Sequence, residues 1–402
     1  MEINTTKITS IRLWDLFLVF LRLGLTSFGG PVAHLGYFRE EFVARKKWLS
    51  EQSYADIVAL CQFLPGPASS QVGLAVGLSR AGYWGALAAW AGFTLPSAIA
   101  LTLFALSLGA FEQDVLPGAL QGLKIVAVAV VAQAVWGMAK NLCPDARRAS
   151  LMALCTCVLL LVPSVWTQVA VIVLAGMVGL FLFRPQNETD REPLALNISH
   201  RAGLLWFGLF CAGLIFLPLM AGIFPNQSLA LIDAFYRAGS LVFGGGHVVL
   251  PLLQAEVVPP GWVDANTFLA GYGAAQAVPG PLFTFASFLG ASMHSTPNSW
   301  LGSAICLFAI FAPSFLLVAG ALPFWEKLRH NMRMQAALTG INAAVVGVLL
   351  AALYDPVWTS AIHAPQDFAL ALLAFVALIF WKIPPWLVVL ACAACGWGLG
   401  LV

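Results

Sequence analysis

Long apolar runs fill most of the chain, and short polar segments separate them. The runs at 82–110, 117–140 and 300–322 each reach the length of about 20 residues that a helix needs to cross a bilayer. Because the membrane interior contains no water, backbone N–H and C=O groups there are all paired only in helices or closed barrels. Barrel strands would alternate apolar and polar positions, and these runs do not. The pattern therefore predicts an all-α polytopic membrane protein.

Two stretches near the N-terminus are apolar but interrupted by glycine and proline. The first, 11–46, breaks at 28–31 (FGGP), and the second, 51–79, breaks at 64–67 (LPGP). As one straight helix the first would extend about 54 Å, well beyond a hydrocarbon core of about 30 Å. Each stretch is therefore predicted to form two short helices that meet at the break, as a re-entrant hairpin.

An ordered series of motifs recurs in the second half of the chain. The segment 20–30 (FLRLGLTSFGG) matches 235–245 (FYRAGSLVFGG) at an offset of 215 residues, and 62–67 (QFLPGP) matches 276–281 (QAVPGP) at an offset of 214. A series with one period indicates a duplicated structural unit. The predicted domains are an N-terminal repeat at 1–184, a polar linker with an unpaired transmembrane helix at 185–228, and a C-terminal repeat at 229–402.

Composition and charge agree with a membrane location. Hydrophobic residues make up 60% of the chain and charged residues 9%, against about a quarter in soluble domains. Of 20 lysines and arginines, three lie inside apolar segments: Arg22, Lys124 and Arg237. If the broken stretches are re-entrant, all the others fall on one side, which the positive-inside rule makes cytoplasmic. The N-terminus is then cytoplasmic and the C-terminus outside, and the unpaired span inverts the second repeat.

The complete fold prediction is two inverted-topology repeats, each with two broken, re-entrant hairpins and about four membrane spans, joined by a linker helix. Secondary transporters typically have this architecture, with the substrate near the midplane between the repeats. A helix that begins at a break leaves backbone N–H groups unpaired, and its dipole favours an anion there. Proline in the first turn also favours helix initiation by itself, so packing without binding stays open.

Arg22 and Arg237 occupy equivalent positions before the two glycine breaks. An arginine at the bilayer centre costs about 2.5–3.5 kcal/mol on insertion scales, which marks it as a functional candidate. The alternative is a structural ion pair with Asp15 or Asp233. Cations, amides, hydroxyls and helix N-termini together suit a small tetrahedral dianion. The predicted substrate-binding residues are Arg22, Gly29, Gly30, Gln62, Pro65, Gly66, Pro67, Ser69, Lys124, Arg237, Gly244, Gly245, Gln276, Pro279, Gly280, Pro281, Thr284 and Asn342.

Titratable groups near the breaks and helix ends are candidates for proton coupling, although each has an interfacial or hydrogen-bonded alternative. They are His34, Glu41, Asp56, His247 and Glu256. The cysteine pairs 155/157 and 392/395 have no further ligand nearby in sequence, so no metal and no cofactor are predicted. The chain lacks the motifs of a membrane-embedded enzyme, and its basic residues form no single face for nucleic acid.

The breaks at 28–31 and 62–67, Trp48 between them, and the diverged copies at 243–246 and 277–281 resemble the signature of the chromate ion transporter family. The resemblance covers both halves, as in long-chain, two-domain members. In the second copy Gly246 replaces the proline at Pro31, and the basic cluster that follows the first copy is missing. Unequal roles for the two halves are therefore expected.

The resemblance implies export of chromate through the cytoplasmic (inner) membrane, chromate resistance and coupling to the proton motive force. Sulfate is also a tetrahedral dianion of similar size. Uptake of sulfate or another oxyanion therefore stays open, as does an anion channel. The expected partners are chromate or sulfate and the lipid bilayer, and a homodimer is left open.

Overall fold

A computed structural model describes residues 12–28, 30–110, 117–183, 199–243, 246–325 and 331–398. All the regular structure within these ranges is helical, which confirms the all-α prediction. The α-helices of the described residues are α1 (Leu13–Thr26), α2 (Gly30–Arg39), α3 (Glu51–Phe63), α4 (Ala68–Ala110), α5 (Pro117–Leu142), α6 (Ala146–Leu161), α7 (Val165–Leu182), α8 (His200–Ile223), α9 (Gln227–Leu241), α10 (Val249–Val257), α11 (Ala265–Ala275), α12 (Phe285–Ala291), α13 (Ser299–Ala321), α14 (Met332–Ala352), α15 (Pro365–Ile379) and α16 (Pro385–Gly398).

Five of the described helical segments are long and apolar enough to cross a membrane. They are Ala68–Leu108, Gly118–Leu142, His200–Ile223, Ser299–Phe324 and Met332–Trp358. The first of these has non-helical backbone at Ala81 and Gly82, so it consists of two helices that meet at a kink. Most of the α8 surface is exposed apolar side chain, while one side of α8 packs on α9 and α13. Such a surface is compatible with lipid and not with water, so the chain is a membrane protein.

Helices end at the glycine and proline breaks in both halves. α1 stops at Thr26 and α2 begins at Gly30, while α3 stops at Phe63 and α4 begins at Ala68. In the second half α9 stops at Leu241 and α11 at Ala275, and a short 3-10 turn follows each break, at Gly246–Val248 and at Leu282–Thr284. With 14 and 10 residues, α1 and α2 measure about 21 and 15 Å, so neither spans the hydrocarbon core alone.

The breaks of the two halves bond to each other. The backbone N–H of Gly66 donates to the carbonyl of Val242 at 2.6 Å, and that of Gly280 donates to the carbonyl of Ser27 at 2.9 Å. These are equivalent bonds, since Gly66 corresponds to Gly280 and Ser27 to Val242 in the aligned repeats. The second break of each half is therefore held by the first break of the other half.

Helix packing also crosses between the halves. α5 packs along α16, and α14 packs along α7. The approach is close at glycines, because a Cβ on Gly396 would overlap Gly118 and Gly122 of α5, and a Cβ on Gly179 would overlap the carbonyl of Ala336 of α14. Two bodies result, each built from both halves. We call α1–α4 with α8–α13 the hairpin body, and α5–α7 with α14–α16 the span body.

We predict that Gly66→Ala and Gly280→Ala each destabilise the protein. Their φ angles are +123° and +103°, which other residues rarely adopt, and a Cβ would lie 2.9 Å from Oγ of Ser314 or Ser97, respectively. The backbone strain alone is of order 1–3 kcal/mol. A lower melting temperature of the purified protein is the expected result. Gly208→Ala in α8 is the matched control, because its Cβ would meet nothing within 4 Å, and equal melting temperatures would contradict the prediction.

Candidate functional site

A cavity of about 500 Å³ lies between the hairpin body and the span body. All four breaks contribute one glycine to its lining: Gly30, Gly66, Gly246 and Gly280. Small-molecule sites commonly have volumes of about 300–1,000 Å³. The cavity is therefore large enough for a small anion that keeps part of its hydration.

Helices begin at the cavity wall. α2 starts at Gly30 and α4 at Ala68, both of which line the cavity, and the turns that lead into α10 and α12 start at Gly246 and Leu282. The first N–H groups of a helix have no partner within the helix, and the macrodipole gives them partial positive charge. The backbone itself thus makes this cavity favourable for anions.

The polar side chains of the cavity are neutral amides together with one histidine. Among the described lining residues there is no aspartate, glutamate, lysine or arginine. The Gln276 Nε2 is buried, and the Gln276 side chain bonds the hydroxyl of Tyr272. Amide N–H groups are donors that leave the site without a fixed charge. The polar lining consists of Gln62, Gln133, Asn141, His247, Gln276 and Asn342.

Two equivalent positions of the repeats meet at this cavity. A Cβ on Gly246 would lie 3.2 Å from Cγ of Pro31, its counterpart in the first half. A side chain at position 246 would therefore crowd the ring of Pro31 unless one of the two shifted. Glycine at this position of the second copy avoids that crowding.

The structure brings six of the predicted binding residues to the cavity and leaves others outside its lining. Ser69 bonds to His34, Thr284 donates to its own break at Pro281, and Lys124 donates to Asn266. The predictions at Gly29, Gly244 and Gly245 lie outside the described residues. Pro65, Pro67, Pro279 and Pro281 belong to the breaks without lining the cavity, and the six lining residues are Gly30, Gln62, Gly66, Gln276, Gly280 and Asn342.

Neither predicted arginine lines the cavity. Arg22 is exposed on α1 and forms no ion pair with another described residue. Arg237 has an ion pair with Asp233 on the same helix at 2.9 Å and another with Glu256 of α10 at 3.0 Å. The structural alternative is thus observed for Arg237. A direct role of either arginine in binding stays a prediction for another conformation.

The coupling candidates differ in their surroundings. His34 is buried and uses both ring nitrogens within the first half, while His247 lines the cavity. Asp56 is buried on α3. Glu41 pairs with Arg45 at 3.1 Å, and Glu256 with Arg237.

Charges at the polar end of the first hairpin stabilise one another. The Arg39 guanidinium bonds both carboxylate oxygens of Glu51, at 2.6 and 2.9 Å, and so joins the end of α2 to the start of α3. Hydrogen bonding by Arg39 lowers the pKa of Glu51. Both groups are exposed, so the pair contributes little to stability.

Sequence reasoning missed the contribution of α5 to the cavity. Gln133, Gly137 and Asn141 all line it, at successive intervals of four residues. This spacing places them on one face of a helix. The sequence signal that could have identified this cavity-facing side is the recurrence of polar and small residues every four positions inside an apolar span. Cys61 and Met138 also line the cavity, and nothing in their sequence context distinguishes them from packing residues.

Comparison with known proteins links both halves to one family. The family model described as Chromate transporter matches residues 14–180 and again 229–397. A chromate transport protein of Pseudomonas aeruginosa is 28% identical over 95% of this chain and 91% of its own length, and one of Cupriavidus metallidurans is 25% identical over 94% and 90%. An uncharacterized transporter of Methanocaldococcus jannaschii is 29% identical over 84% and 82%. No solved structure matches.

We predict that Arg237→Gln acts mainly on stability. Loss of the guanidinium leaves the carboxylates of Asp233 and Glu256, with side chains only 8% and 13% exposed, without their shared counter-charge. Unpaired buried charge is strongly destabilising. The expected result is a lower melting temperature that Asp233→Asn in the same chain partly restores. An unchanged melting temperature together with abolished transport would instead indicate the binding role.

Proposed function

The chain belongs to the chromate transporter family, and we propose that it is a secondary active transporter of chromate. The observation that carries this proposal is the cavity in which breaks from both halves meet, with neutral donors and helix N-termini around it. The family match over both halves and the names of the relatives in Pseudomonas aeruginosa and Cupriavidus metallidurans support chromate as the substrate.

A cavity of neutral donors suits a transported dianion. Amide and backbone N–H groups make charge-assisted hydrogen bonds to oxyanion oxygens. Fixed cations would hold the dianion more strongly, while transport requires that the ion also leaves. The six polar side chains that line the cavity thus offer donors that can replace water molecules around the dianion, while no fixed positive charge binds it.

Alternating access follows from the difference between two equivalent interfaces. α11 of the second half packs closely on α5 of the first half, and Nζ of Lys124 donates to Oδ1 of Asn266 at 3.3 Å. The equivalent helices α3 and α14 do not pack along each other in the described chain, and Gln62 and Asn342 from their two sides face the cavity. In inverted repeats, exchange of the two interfaces produces the state that opens to the opposite side. We propose that α14 closes on α3 as α5 leaves α11.

The direction and the energy source are part of the proposal. In a cell whose interior is electrically negative, the membrane potential favours export of a dianion by about 4.6 kcal/mol per 100 mV. Proton antiport at Glu41, Asp56, Glu256 or a histidine would add to this driving force. Export through the inner membrane would give chromate resistance.

Flux in proteoliposomes tests the function directly. We expect saturable chromate movement that sulfate inhibits and an imposed pH gradient accelerates. Non-saturating flux would favour an anion channel, and sulfate flux without chromate flux would favour a sulfate transporter. Absence of any oxyanion flux would overturn the proposal.

Gln62→Leu and Asn342→Leu are expected to lower chromate flux by about tenfold or more, because each removes a donor to a charged ligand. The initial rate at subsaturating chromate measures the effect. Gln254→Leu on α10 is the matched control, since this glutamine does not line the cavity. Wild-type flux in both cavity variants would move the site elsewhere.

Paired cysteines test the exchange of interfaces in a background without the eight native cysteines. Lys124→Cys with Asn266→Cys joins the interface that is closed in this structure. Gln52→Cys with Asn342→Cys joins the equivalent positions of α3 and α14. We expect substrate and an imposed gradient to change the yields of a short bifunctional maleimide cross-link in opposite directions for the two pairs. Parallel changes would contradict the exchange.

A further inference from the structure

The two histidines near the breaks use their ring nitrogens differently. In His34, Nδ1 lies 3.3 Å from Oγ of Ser69 and Nε2 lies 3.2 Å from the carbonyl oxygen of Ser27, so both nitrogens bond within the first half. In His247, Nδ1 lies 2.8 Å from the hydroxyl of Tyr272, and the ring lines the cavity. Only His247 therefore has a ring nitrogen available to a ligand.

Tyr272 determines which nitrogen of His247 carries the hydrogen. Its side chain is fully buried, and a buried hydroxyl needs an acceptor for its hydrogen. Two side chains bond this hydroxyl: the Gln276 amide as a donor, and Nδ1 of His247 at 2.8 Å, which is left as the acceptor. If Nδ1 accepts, the hydrogen of the neutral ring is on Nε2. Tyr272 thus holds His247 as a donor through Nε2.

The Nε2 atom faces the first break of the other half. A Cβ built on Gly30 would lie 3.9 Å from it, and Gly30 lines the same cavity. Gln276, one helical turn after Tyr272, also lines the cavity, and its amide has two hydrogens, so it can bond Tyr272 and still donate to a ligand. Two neutral donors from the second half therefore meet the N-terminus of α2 from the first.

We infer that His247, oriented by Tyr272, is a specificity-determining donor for fully deprotonated tetrahedral oxyanions, an inference that rests on the proposed function. A fixed N–H next to a positively polarised helix N-terminus donates best to an oxygen that has lone pairs and no hydrogen. Chromate and sulfate present such oxygens in every orientation. Phosphate near neutral pH carries at least one hydroxyl, which must be turned away from both donors. The site therefore favours sulfate and chromate over phosphate.

Binding to the purified full-length protein tests the inference, with sodium sulfate and sodium phosphate as titrants in a calorimeter. His247→Leu is expected to weaken sulfate binding by about 10- to 100-fold, the usual effect of losing a donor to a charged group. His247→Gln retains an N–H donor and is expected to stay within about threefold of wild type.

Tyr272→Phe is expected to reduce the preference for sulfate over phosphate, by about three- to tenfold, because the ring is then free to present Nδ1–H or Nε2–H. Tyr54→Phe is the matched control. Its hydroxyl is also bonded, but to the backbone carbonyl of Leu35 at 2.6 Å and not to a histidine. This control is expected to leave the sulfate-to-phosphate preference unchanged.

The outcomes separate the inference from the function on which it rests. Wild-type sulfate affinity in His247→Leu, equal losses in the Gln and Leu variants, or unchanged selectivity in Tyr272→Phe would each overturn the inference alone. If His247→Leu does not fold, the inference is decided by comparing the sulfate-to-phosphate preference of Tyr272→Phe with that of Tyr54→Phe. Failure of the wild-type protein to bind sulfate and to move chromate in proteoliposomes would overturn both.

Discussion

A helix that breaks at membrane depth leaves backbone N–H and C=O groups that need partners, because hydrocarbon offers none. In this protein the partners come from the opposite half, through the bonds from Gly66 to Val242 and from Gly280 to Ser27. Neither half can therefore complete its own breaks. The cavity exists because these reciprocal bonds hold four irregular segments around one point, and the close packing of the span body depends on the same arrangement of the halves.

The same constraint shapes the chemistry of the site. Ionised groups taken out of water carry a desolvation cost that only good pairing offsets. In the hairpin body, the ionised side chains of Arg237, Asp233 and Glu256 pair with one another away from the cavity. The cavity instead uses amides and backbone N–H groups, whose dipoles are fixed by the fold before a ligand enters. Charge arrives with the substrate and leaves with it.

Much of the architecture could be predicted because its causes are local in sequence. Glycine and proline interrupt helices by their own geometry, so the breaks at 28–31 and 64–67 and their later copies were identifiable, and an apolar run of sufficient length identifies a span. Which face of a helix meets the cavity depends on packing between distant segments. Arg22 and Arg237 were expected at the cavity because a charge inside an apolar run is unusual. The length and composition of the run do not show which side of the helix carries that charge. The face formed by Gln133, Gly137 and Asn141 was missed for the same reason.

The contact between Pro31 and Gly246 has an evolutionary consequence. Two separate copies of one half-length polypeptide would present identical residues to each other wherever equivalent positions meet, so a proline that suits one side would crowd its own counterpart on the other. Covalent fusion of the halves removes this restriction, because each copy of the ancestral unit then mutates independently. A duplicated gene can in this way acquire a proline on one side and a histidine, His247, on the other. In the central pocket of such a protein, residues that descend from one ancestral position can therefore differ between the two halves and take different roles.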